Sequence, residues 1–372
     1  MKRVSFIVLS ALLITAASCA QQKTLTAPIR GTWVTNVASG ALSSKDSIRR
    51  AVQLCKENGL NHIFVVVWNN GTTMYPSKVL KQYIGMAQDE AYKGRDPLQE
   101  MITEAHRENI QVHAWFEFGF SYAYKDSSSP WLSKYPHWVG RNNKGGLLQK
   151  NSFFWWSAIN PEVQKFMKAL VSEVVTNYAV DGVQGDDRLP AMPGEGGYDT
   201  ATLQLYAKEH NGAAPPQNPK DSAWIQWKAN QLSKFGKSLY QTVKQLKPAC
   251  AVSWAPSIYP WSKEQYLQDW PTWLKEGYAD FVIPQLYRYQ LSAYENVLQQ
   301  LKAQVPANLQ HKVFPGILTS LGDGYQSSRE LTSQMIQLNR KYGFEGEVFF
   351  YFETLNRMKG PFYEGDELPL KK

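Results

Sequence analysis

The sequence predicts a single (β/α)8 barrel of the α/β class. From residue 30 to residue 353, eight apolar segments alternate with amphipathic helical segments, which is the pattern of a barrel of parallel strands. A doubly wound open sheet is the competing fold, but it would normally carry a Gly-rich phosphate-binding loop after the first strand. The sequence has no such loop, so we predict one barrel domain over residues 29–357.

Each predicted strand is short and rich in β-branched and aromatic residues. The strands cover residues 30–37, 62–68, 111–118, 181–187, 250–256, 279–286, 312–318 and 347–352. The helices between them begin at capping residues or Pro, and several end at Gly. They cover residues 43–55, 160–178, 221–246, 265–277, 293–305 and 328–342, with a further helix beginning at residue 96. Long loops follow the third strand, at residues 119–159, and the fourth strand, at residues 189–219, and loops of this length are usually functional.

The first 19 residues resemble a bacterial lipoprotein signal peptide. Lys2 and Arg3 precede an apolar run over residues 6–17 that is too short for a typical membrane span. Small residues then precede Cys19, which would become the lipid-modified N-terminus after cleavage. We expect residues 20–28 to form a tether, and residues 358–372 to form a short polar tail. The mature protein would be exported and lipid-anchored to the bacterial cell envelope, in the periplasm or at the outer membrane; ordinary secretion is the alternative.

Composition and charge exclude several classes of protein. The formal net charge is +8, but the basic residues are scattered and form no run that indicates a nucleic-acid partner. Three Cys without a Cys-x-x-Cys motif, and six His without a His-x-His motif, argue against a disulfide framework and a metal site. We therefore predict no metal and no cofactor; the oligomeric state is left open. The 13 Trp and 20 Tyr are more than a core requires, which is typical of carbohydrate-binding proteins.

The segment from Asp181 to Arg188 carries the central chemistry. Strand side chains alternate between faces, so Gln184 and Asp186 share one face and Asp187 follows at the rim. In a barrel, the carboxyl ends of the strands and the loops after them form one open end, which we call the mouth. A polar strand face that ends in a carboxylate delivers a catalytic acid to this mouth. A helix N-cap beside a surface carboxylate is the alternative interpretation of the same residues.

Other strand ends bring further polar and aromatic residues to the predicted mouth. Glycoside hydrolysis needs a protonated carboxyl and a second, ionised carboxylate. Crowded carboxylates push their pKa values apart, which assigns these two roles. The candidate catalytic residues are Asp186, Asp187, Glu353 and Glu117. The candidate substrate-binding residues are Trp33, Trp68, Trp115, Trp254, Gln285, Tyr287 and Arg188.

Seven sequence blocks, in this order and with strand–helix spacing between them, resemble the glycosyl-hydrolase-like family 10. They are residues 30–35, 75–77, 160–163, 178–187, 269–274, 280–287 and 349–355. The resemblance implies a TIM-barrel glycoside hydrolase that is often exported or lipid-anchored in bacteria. It also implies a glycan substrate, since some relatives act on peptidoglycan glycan strands stripped of peptides. Asp186 and Asp187 would belong to the site, with Gln285 and Tyr287 lining it.

One departure from the family pattern concerns the residue after the Asp pair. The family usually has an aromatic residue there, whereas this chain has Arg188 followed by Leu189-Pro190. An Arg beside two carboxylates lowers their pKa values, which favours Asp186 as an ionised nucleophile or base. The general acid would then be Glu353 or Glu117, with Asp187 in support.

Two alternatives from other functional classes remain at this point. The first is a non-catalytic glycan-binding envelope lipoprotein on a barrel scaffold, which would have aromatic residues at the mouth but no two carboxyls within catalytic reach. The second is a barrel deacetylase, which would need a metal cluster of His and Asp.

Overall fold

A computed structural model describes residues 28–322, 324–358 and 362–363 of the chain. Its main sheet consists of eight parallel strands, which we number β1 to β8 in chain order. They are β1 (Arg30–Val34), β2 (His62–Val66), β3 (Gln111–Phe116), β4 (Gly182–Gly185), β5 (Ala251–Trp254), β6 (Phe281–Val282), β7 (Gly316–Leu318) and β8 (Glu347–Phe350). The predicted signal peptide with Cys19, most of the predicted tether and most of the predicted tail lie outside the described residues.

The sheet curls until its two end strands meet. The neighbours run in the order β6-β5-β4-β3-β2-β1-β8-β7, which is the sequential order of a barrel opened between β6 and β7. Parallel bridges from Val282 to Val313 and from Gln285 to Gly316 close this gap. Strand β6 itself is only two residues long, because Pro284 lacks the N–H that a longer ladder would need. The prediction of a single (β/α)8 barrel is confirmed.

Helices connect the strands and cover the outside of the barrel. In the described residues the α-helices are α1 (Lys45–Glu57), α2 (Lys78–Ile84), α3 (Pro97–Arg107), α4 (Pro130–Lys134), α5 (Pro161–Asn177), α6 (Thr200–Glu209), α7 (Ser222–Leu246), α8 (Trp261–Tyr266), α9 (Trp270–Lys275), α10 (Leu291–Gln304) and α11 (Arg329–Lys341). Capping side chains begin most of them: Ser44 accepts from the Ser47 N–H at α1, and Asn160 accepts from the Glu162 N–H at α5. None of the helices in the described part of the chain is long and apolar enough to cross a membrane.

The structure corrects three details of the predicted elements. The segment after β3 is not a bare loop, because it contains α4 and a three-stranded antiparallel sheet made of Ser121–Tyr124, Gln149–Lys150 and Phe153–Trp155. The segment after β4 contains α6, whose N-terminus is capped by Asp199. The helix predicted over residues 265–277 is two short helices, since Leu267 ends α8 in a left-handed conformation and Pro271 lies in the first turn of α9.

Gly185, the last residue of β4, has no room for a side chain because the turn that follows it is tight. A Cβ atom at Gly185 would lie 2.3 Å from the Leu189 carbonyl oxygen and 2.7 Å from the nearest atom of the Trp254 ring. The first neighbour is a backbone atom and the second is a fully buried ring, so neither can move without disturbing the surrounding packing. The glycine is therefore a steric requirement for the chain to reverse directly after β4.

We predict that Gly185→Ala lowers the free energy of unfolding by about 1–3 kcal/mol, the usual cost of overpacking a dense core. Urea denaturation followed by circular dichroism measures this change. Gly40→Ala is the matched control, because among the described residues a Cβ at Gly40 meets nothing within 4 Å. Equal stability of the two variants would contradict the prediction.

Candidate active site

Three carboxylates surround one guanidinium at the carboxyl ends of β3 and β4. The Nη2 atom of Arg188 lies 3.1 Å from Asp186 Oδ2 and 3.8 Å from Glu117 Oε1, and its Nη1 atom lies 3.0 Å from Asp187 Oδ1. The Asp186 side chain is 5% exposed and the Asp187 side chain 24% exposed. Of the two aspartates, Asp187 is therefore the one more open to solvent.

Backbone contacts between two loops hold Arg188 in position. Its own carbonyl accepts from the Phe120 N–H at 2.9 Å, and its Nε donates to the Glu117 carbonyl at 2.8 Å. Gly119 lies at this contact with a φ of +48°, and a Cβ there would be 2.0 Å from the Arg188 oxygen. The Phe153 ring covers the guanidinium at 4.7 Å. The loops after β3 and β4 are thus locked together around the arginine.

Asp186 accepts hydrogen bonds on both carboxyl oxygens. The Gln285 side-chain amide donates to Oδ1 at 2.8 Å, the Asp187 N–H donates to the same oxygen at 2.7 Å, and Arg188 donates to Oδ2. The Gln268 amide holds the Asp186 backbone carbonyl at 3.0 Å. These donors fix the carboxyl group in one orientation, and sequence parity correctly placed it inside the barrel.

The pKa of Asp186 is well above its usual value. Burial is the main cause, the negative charge of Asp187 adds to it, and the opposing charge of Arg188 does not compensate. The sequence-based expectation that Arg188 would lower the pKa of Asp186 overall is therefore not supported, because the net shift of this pKa is upward. The effect of Arg188 on this pKa has the expected sign, but three carboxyls share one cation, and the burial of Asp186 raises its pKa by more than Arg188 lowers it.

Glu117 supports the arginine rather than facing an open space. Its Oε2 accepts from the Asn69 amide at 2.7 Å and from the Thr35 hydroxyl at 3.3 Å. Burial raises the pKa of Glu117, while Arg188 and the hydrogen bonds from Asn69 and Thr35 lower it. With both oxygens engaged, Glu117 is placed to position Arg188.

The structure does not bring Glu353 into this cluster. Strand β8 ends at Phe350, and Glu353 lies in a short 3-10 helix. Its carboxylate accepts from the Ser39 hydroxyl at 2.7 Å, from the Gly40 N–H at 3.2 Å and from the Asn356 amide at 3.1 Å. These contacts fix the loop after β1. The interpretation of Glu353 as general acid is therefore not supported, because the strand ends at Phe350, two residues before its predicted end.

The four tryptophans expected to bind sugar rings are core residues instead. Trp33, Trp68, Trp115 and Trp254 are at most 2% exposed, so they offer no open ring face to a ligand. Trp33 donates its indole N–H to Gln184 inside the barrel at 2.7 Å, and Trp68 donates to the Gly119 carbonyl at 3.0 Å. The expectation for these four residues is wrong, since large aromatic rings fill the inward positions of the barrel and its loops.

Gln285 and Tyr287 do reach the cluster. Besides its bond to Asp186, the Gln285 amide donates to the Ala255 carbonyl at 2.9 Å. Burial, and then the negative charge of Asp186, raises the pKa of Tyr287, whose side chain is partly exposed beside the Phe350 ring.

Sequence reasoning missed the aromatic side chains that are exposed at the mouth, although their positions just beyond the strand ends could have indicated them. These are Tyr124, Trp261 and Tyr289.

Metal chemistry finds no support in the geometry of the described residues. No group of three or more His, Cys, Asp or Glu side chains in this part of the chain is arranged to hold a metal ion. The centre of the carboxylate cluster, where a cation would lie, is filled by the Arg188 guanidinium. The predicted absence of a metal and of a cofactor stays a prediction.

Comparison with known proteins identifies the family. The family model described as glycosyl hydrolase-like 10 matches residues 28–324. The chain belongs to this family. It is similar to the glycosyl hydrolase DigH of Escherichia coli (strain K12), with 25% identity over 286 residues that cover 70% of this chain and 62% of DigH. It is also similar to the glycosyl hydrolase YngK of Bacillus subtilis (strain 168), with 23% identity over 374 residues that cover 88% of this chain and 69% of YngK.

Solved structures of glycoside hydrolases share the fold of this family member. The glycoside hydrolase domain of PgaB (BpsB) from Bordetella bronchiseptica superimposes with a TM-score of 0.68 at 15% identity, over 89% of this chain and 96% of that domain. The catalytic domain of β-amylase from Paenibacillus polymyxa superimposes with a TM-score of 0.62 at 10% identity, over 88% and 92% of the two chains. At these identities the likeness shows the barrel fold alone.

The raised pKa of Asp186 makes a prediction about stability. Between its unfolded and folded pKa values the native state binds more protons than the unfolded state, so the stability of the wild type falls as pH rises through this window. Asp186→Asn cannot titrate there. Its free energy of unfolding relative to wild type therefore rises with pH, by at most about 1.4 kcal/mol per pH unit, as measured by urea denaturation at several pH values.

Asp126→Asn is the control with the opposite sign. Hydrogen bonds from the Ser128 hydroxyl and N–H lower the pKa of this exposed carboxylate, which therefore stabilises the fold above its unfolded pKa. The stability of Asp126→Asn relative to wild type should fall as pH rises. A flat or falling difference for Asp186→Asn would show that Asp186 is ionised in the folded protein.

Proposed function

We propose that the protein hydrolyses O-glycosidic bonds of a glycan polymer. The observation that carries this proposal is the pair Asp186 and Asp187 at the mouth of the barrel, in which the buried member has a strongly raised pKa and the other is partly exposed. One protonated carboxyl and one accessible carboxylate are the two groups that glycoside hydrolysis uses. Membership in the glycosyl hydrolase-like 10 family supports the same reaction class.

Asp186 is the proton donor in the proposed reaction. It gives its proton to the leaving glycosidic oxygen, and the resulting carboxylate is stabilised at once by the Gln285 amide, the Asp187 N–H and Arg188. Because these donors are already in place, the protein does not have to reorganise as the negative charge develops. This reverses the role that the sequence suggested for Asp186.

Asp187 supplies the second carboxylate. Its negative charge stabilises the positive charge that develops at the anomeric carbon when the bond breaks. Arg188 Nη1, at 3.0 Å, orients this carboxylate, while Glu117 and the Phe153 ring hold the arginine from the other side. The anomer of the first product, read by NMR, distinguishes attack by Asp187 from activation of a water molecule.

Peptidoglycan glycan strands stripped of peptides are the proposed substrate, and the bacterial cell envelope is the proposed location. The resemblance of the sequence blocks to the family supports the substrate class, and the segment that ends at Cys19 supports export with a lipid anchor. Fractionation of cells that express the full chain tests the anchor. We expect the wild type in the membrane fraction and Cys19→Ala outside it; equal distribution of the two would contradict lipidation.

We predict that residues 20–372, which lack the signal peptide and Cys19, release fragments from peptide-free peptidoglycan glycan strands. Asp186→Asn should lower this activity by about 10²–10⁴-fold, as expected for removal of a general acid. Mass spectrometry of the products measures release, and a panel of other polysaccharides run in parallel identifies a different glycan if that is the substrate. Circular dichroism confirms that the variant is folded.

Glu353→Gln is the matched control, because its side chain contacts the loop after β1 and not the carboxylate cluster. We expect it to keep activity within about threefold of wild type, as is usual for changes away from the reacting groups. Loss of activity in Glu353→Gln with full activity in Asp186→Asn would restore the role that the sequence suggested for Glu353. Binding of glycan without release, unchanged in Asp186→Asn, would instead favour a non-catalytic glycan-binding protein.

A further inference from the structure

A groove opens between the loop after β4, the start of α7 and the segment that contains α8. Its volume is about 560 Å³, which is within the roughly 300–1,000 Å³ of ligand-binding clefts. The lining includes Gly194 and Glu195 after β4, Ser222 at the start of α7, and residues 259–260 and 263–265 after β5. All of these segments follow the carboxyl end of β4 or β5, so the groove lies at the same end of the barrel as the candidate active site.

Backbone contacts form the groove without a ligand. The Gly194 N–H donates to the Gln265 carbonyl at 2.9 Å, which joins the loop after β4 to α8. The ammonium group of Lys228, a fully buried residue of α7, donates to the carbonyls of Gly194 and Gly196. A Cβ atom at Gly194 would lie 2.7 Å from the Glu264 carbonyl oxygen, so the two segments are in close contact. Binding in a groove that is already formed does not have to order a loop.

A β-hairpin connects the groove to the carboxylate cluster. The ammonium group of Lys150 donates to Glu195 Oε1 at 3.1 Å and to Gln265 Oε1 at 2.8 Å, and both acceptors belong to lining residues. Lys150 is the direct antiparallel partner of Phe153, and such partners lie about 5 Å apart. The Phe153 ring covers the Arg188 guanidinium at 4.7 Å. One pair of opposed residues therefore spans from the groove to the cluster.

Tyr266 makes a second connection between the cluster and the groove. Burial is the main cause that raises the pKa of Tyr266, and the negative charges of Asp187 and then of Glu195 add to it. Its hydroxyl thus lies near a carboxylate of the cluster and near one that lines the groove. The Tyr266 ring packs against Trp261 at a centroid distance of 5.5 Å, and Trp261 is 43% exposed. An exposed indole therefore lies at the edge of the groove, next to the ring that adjoins Asp187.

The groove offers both kinds of contact that a sugar requires. A sugar ring has an apolar face, which an exposed indole can cover, and a rim of hydroxyl groups that need hydrogen-bonding partners. Most of the side chains that line the groove can donate or accept hydrogen bonds. They include Glu195, Lys220, Ser222, Gln226, Lys263 and Gln265. The combination fits a polar ligand built of rings better than it fits an apolar one.

We propose that this groove is a subsite for the glycan chain, in which one sugar stacks on Trp261 and the next sugars lie in the groove, while the bond at Asp186 and Asp187 is cleaved. This inference rests on the proposed function. Only a strand that reaches from the aspartate pair to Trp261 can use these contacts. The protein should therefore prefer long strands over short ones.

The kinetic test uses peptide-free peptidoglycan glycan strands separated by length. We expect kcat/KM of the wild type to rise with strand length and then to level off. Trp261→Ala should raise KM for long strands about tenfold, as expected for loss of one aromatic contact, with little change in kcat. The effect should disappear for strands too short to reach Trp261. Trp261→Phe keeps a ring and should retain most of the length dependence.

Two further variants control for the position and the space that are tested. Leu246→Ala removes an exposed hydrophobic side chain from the opposite end of α7 and should leave the length dependence unchanged. Ser222→Trp places a bulky ring at an exposed lining residue, and we expect it to block the groove and to reproduce the effect of Trp261→Ala.

A binding experiment separates this inference from the proposed function. Calorimetry measures the affinity of the long strands for the Asp186→Asn protein, and adding Trp261→Ala or Ser222→Trp should weaken it about tenfold. If the wild type cleaves no strand but both substitutions weaken binding, the proposed function fails and the subsite stands. The inference is overturned if the Asp186→Asn protein binds none of the strands. It is also overturned if the two substitutions do not differ from Leu246→Ala, or if they weaken cleavage equally at every strand length.

Discussion

A single buried guanidinium, that of Arg188, is shared by three carboxylates, and the candidate site depends on this imbalance. Asp186, Asp187 and Glu117 all lie within 3.8 Å of its nitrogen atoms, and the four side chains are at most 24% exposed. One positive charge cannot neutralise three negative charges away from water, so the group with the least access to solvent, Asp186, favours its protonated form. The burial that holds the cluster together thus favours a protonated carboxyl at Asp186.

The backbone segments around the cluster pack closely against each other, and their hydrogen bonds fix the position of Arg188. Arg188, which follows β4, donates to the Glu117 carbonyl and accepts from the Phe120 N–H through its own carbonyl, and both of these partners follow β3. Gly119, between them, has no room for a side chain. Gly185, at the end of β4, also has no room for a side chain, because the Leu189 carbonyl and the Trp254 ring lie against it. These contacts lock the loops after β3 and β4 to each other, and the loops after β5 and β6 complete the site by reaching Asp186 through side-chain amides.

The fold and the central pair could be predicted from sequence because both depend on local patterns. Strand alternation placed Asp186 inward, and the order of strands and helices predicted the barrel. Roles that depend on burial could not be predicted. The sign of the Arg188 effect was correct, but the burial of Asp186, which outweighs it, is a property of the folded protein. Trp68 lies at a strand end, yet it is covered by loops whose conformation cannot be read from sequence. Glu353 bonds the loop after β1 and stays outside the carboxylate cluster, because β8 ends three residues before it.

The protonation of Asp186 in the folded protein is the central claim, and an NMR titration of the aspartate carboxyl carbons tests it most directly. The resonance of Asp186 is assigned by its absence in Asp186→Asn, and it is followed with pH in the wild type and in Asp187→Asn. We expect Asp186 to titrate well above the usual range of aspartate in the wild type, and at lower pH in Asp187→Asn, because one of the charges that raises its pKa is gone. Titration in or below the usual range, unchanged by Asp187→Asn, would contradict this expectation.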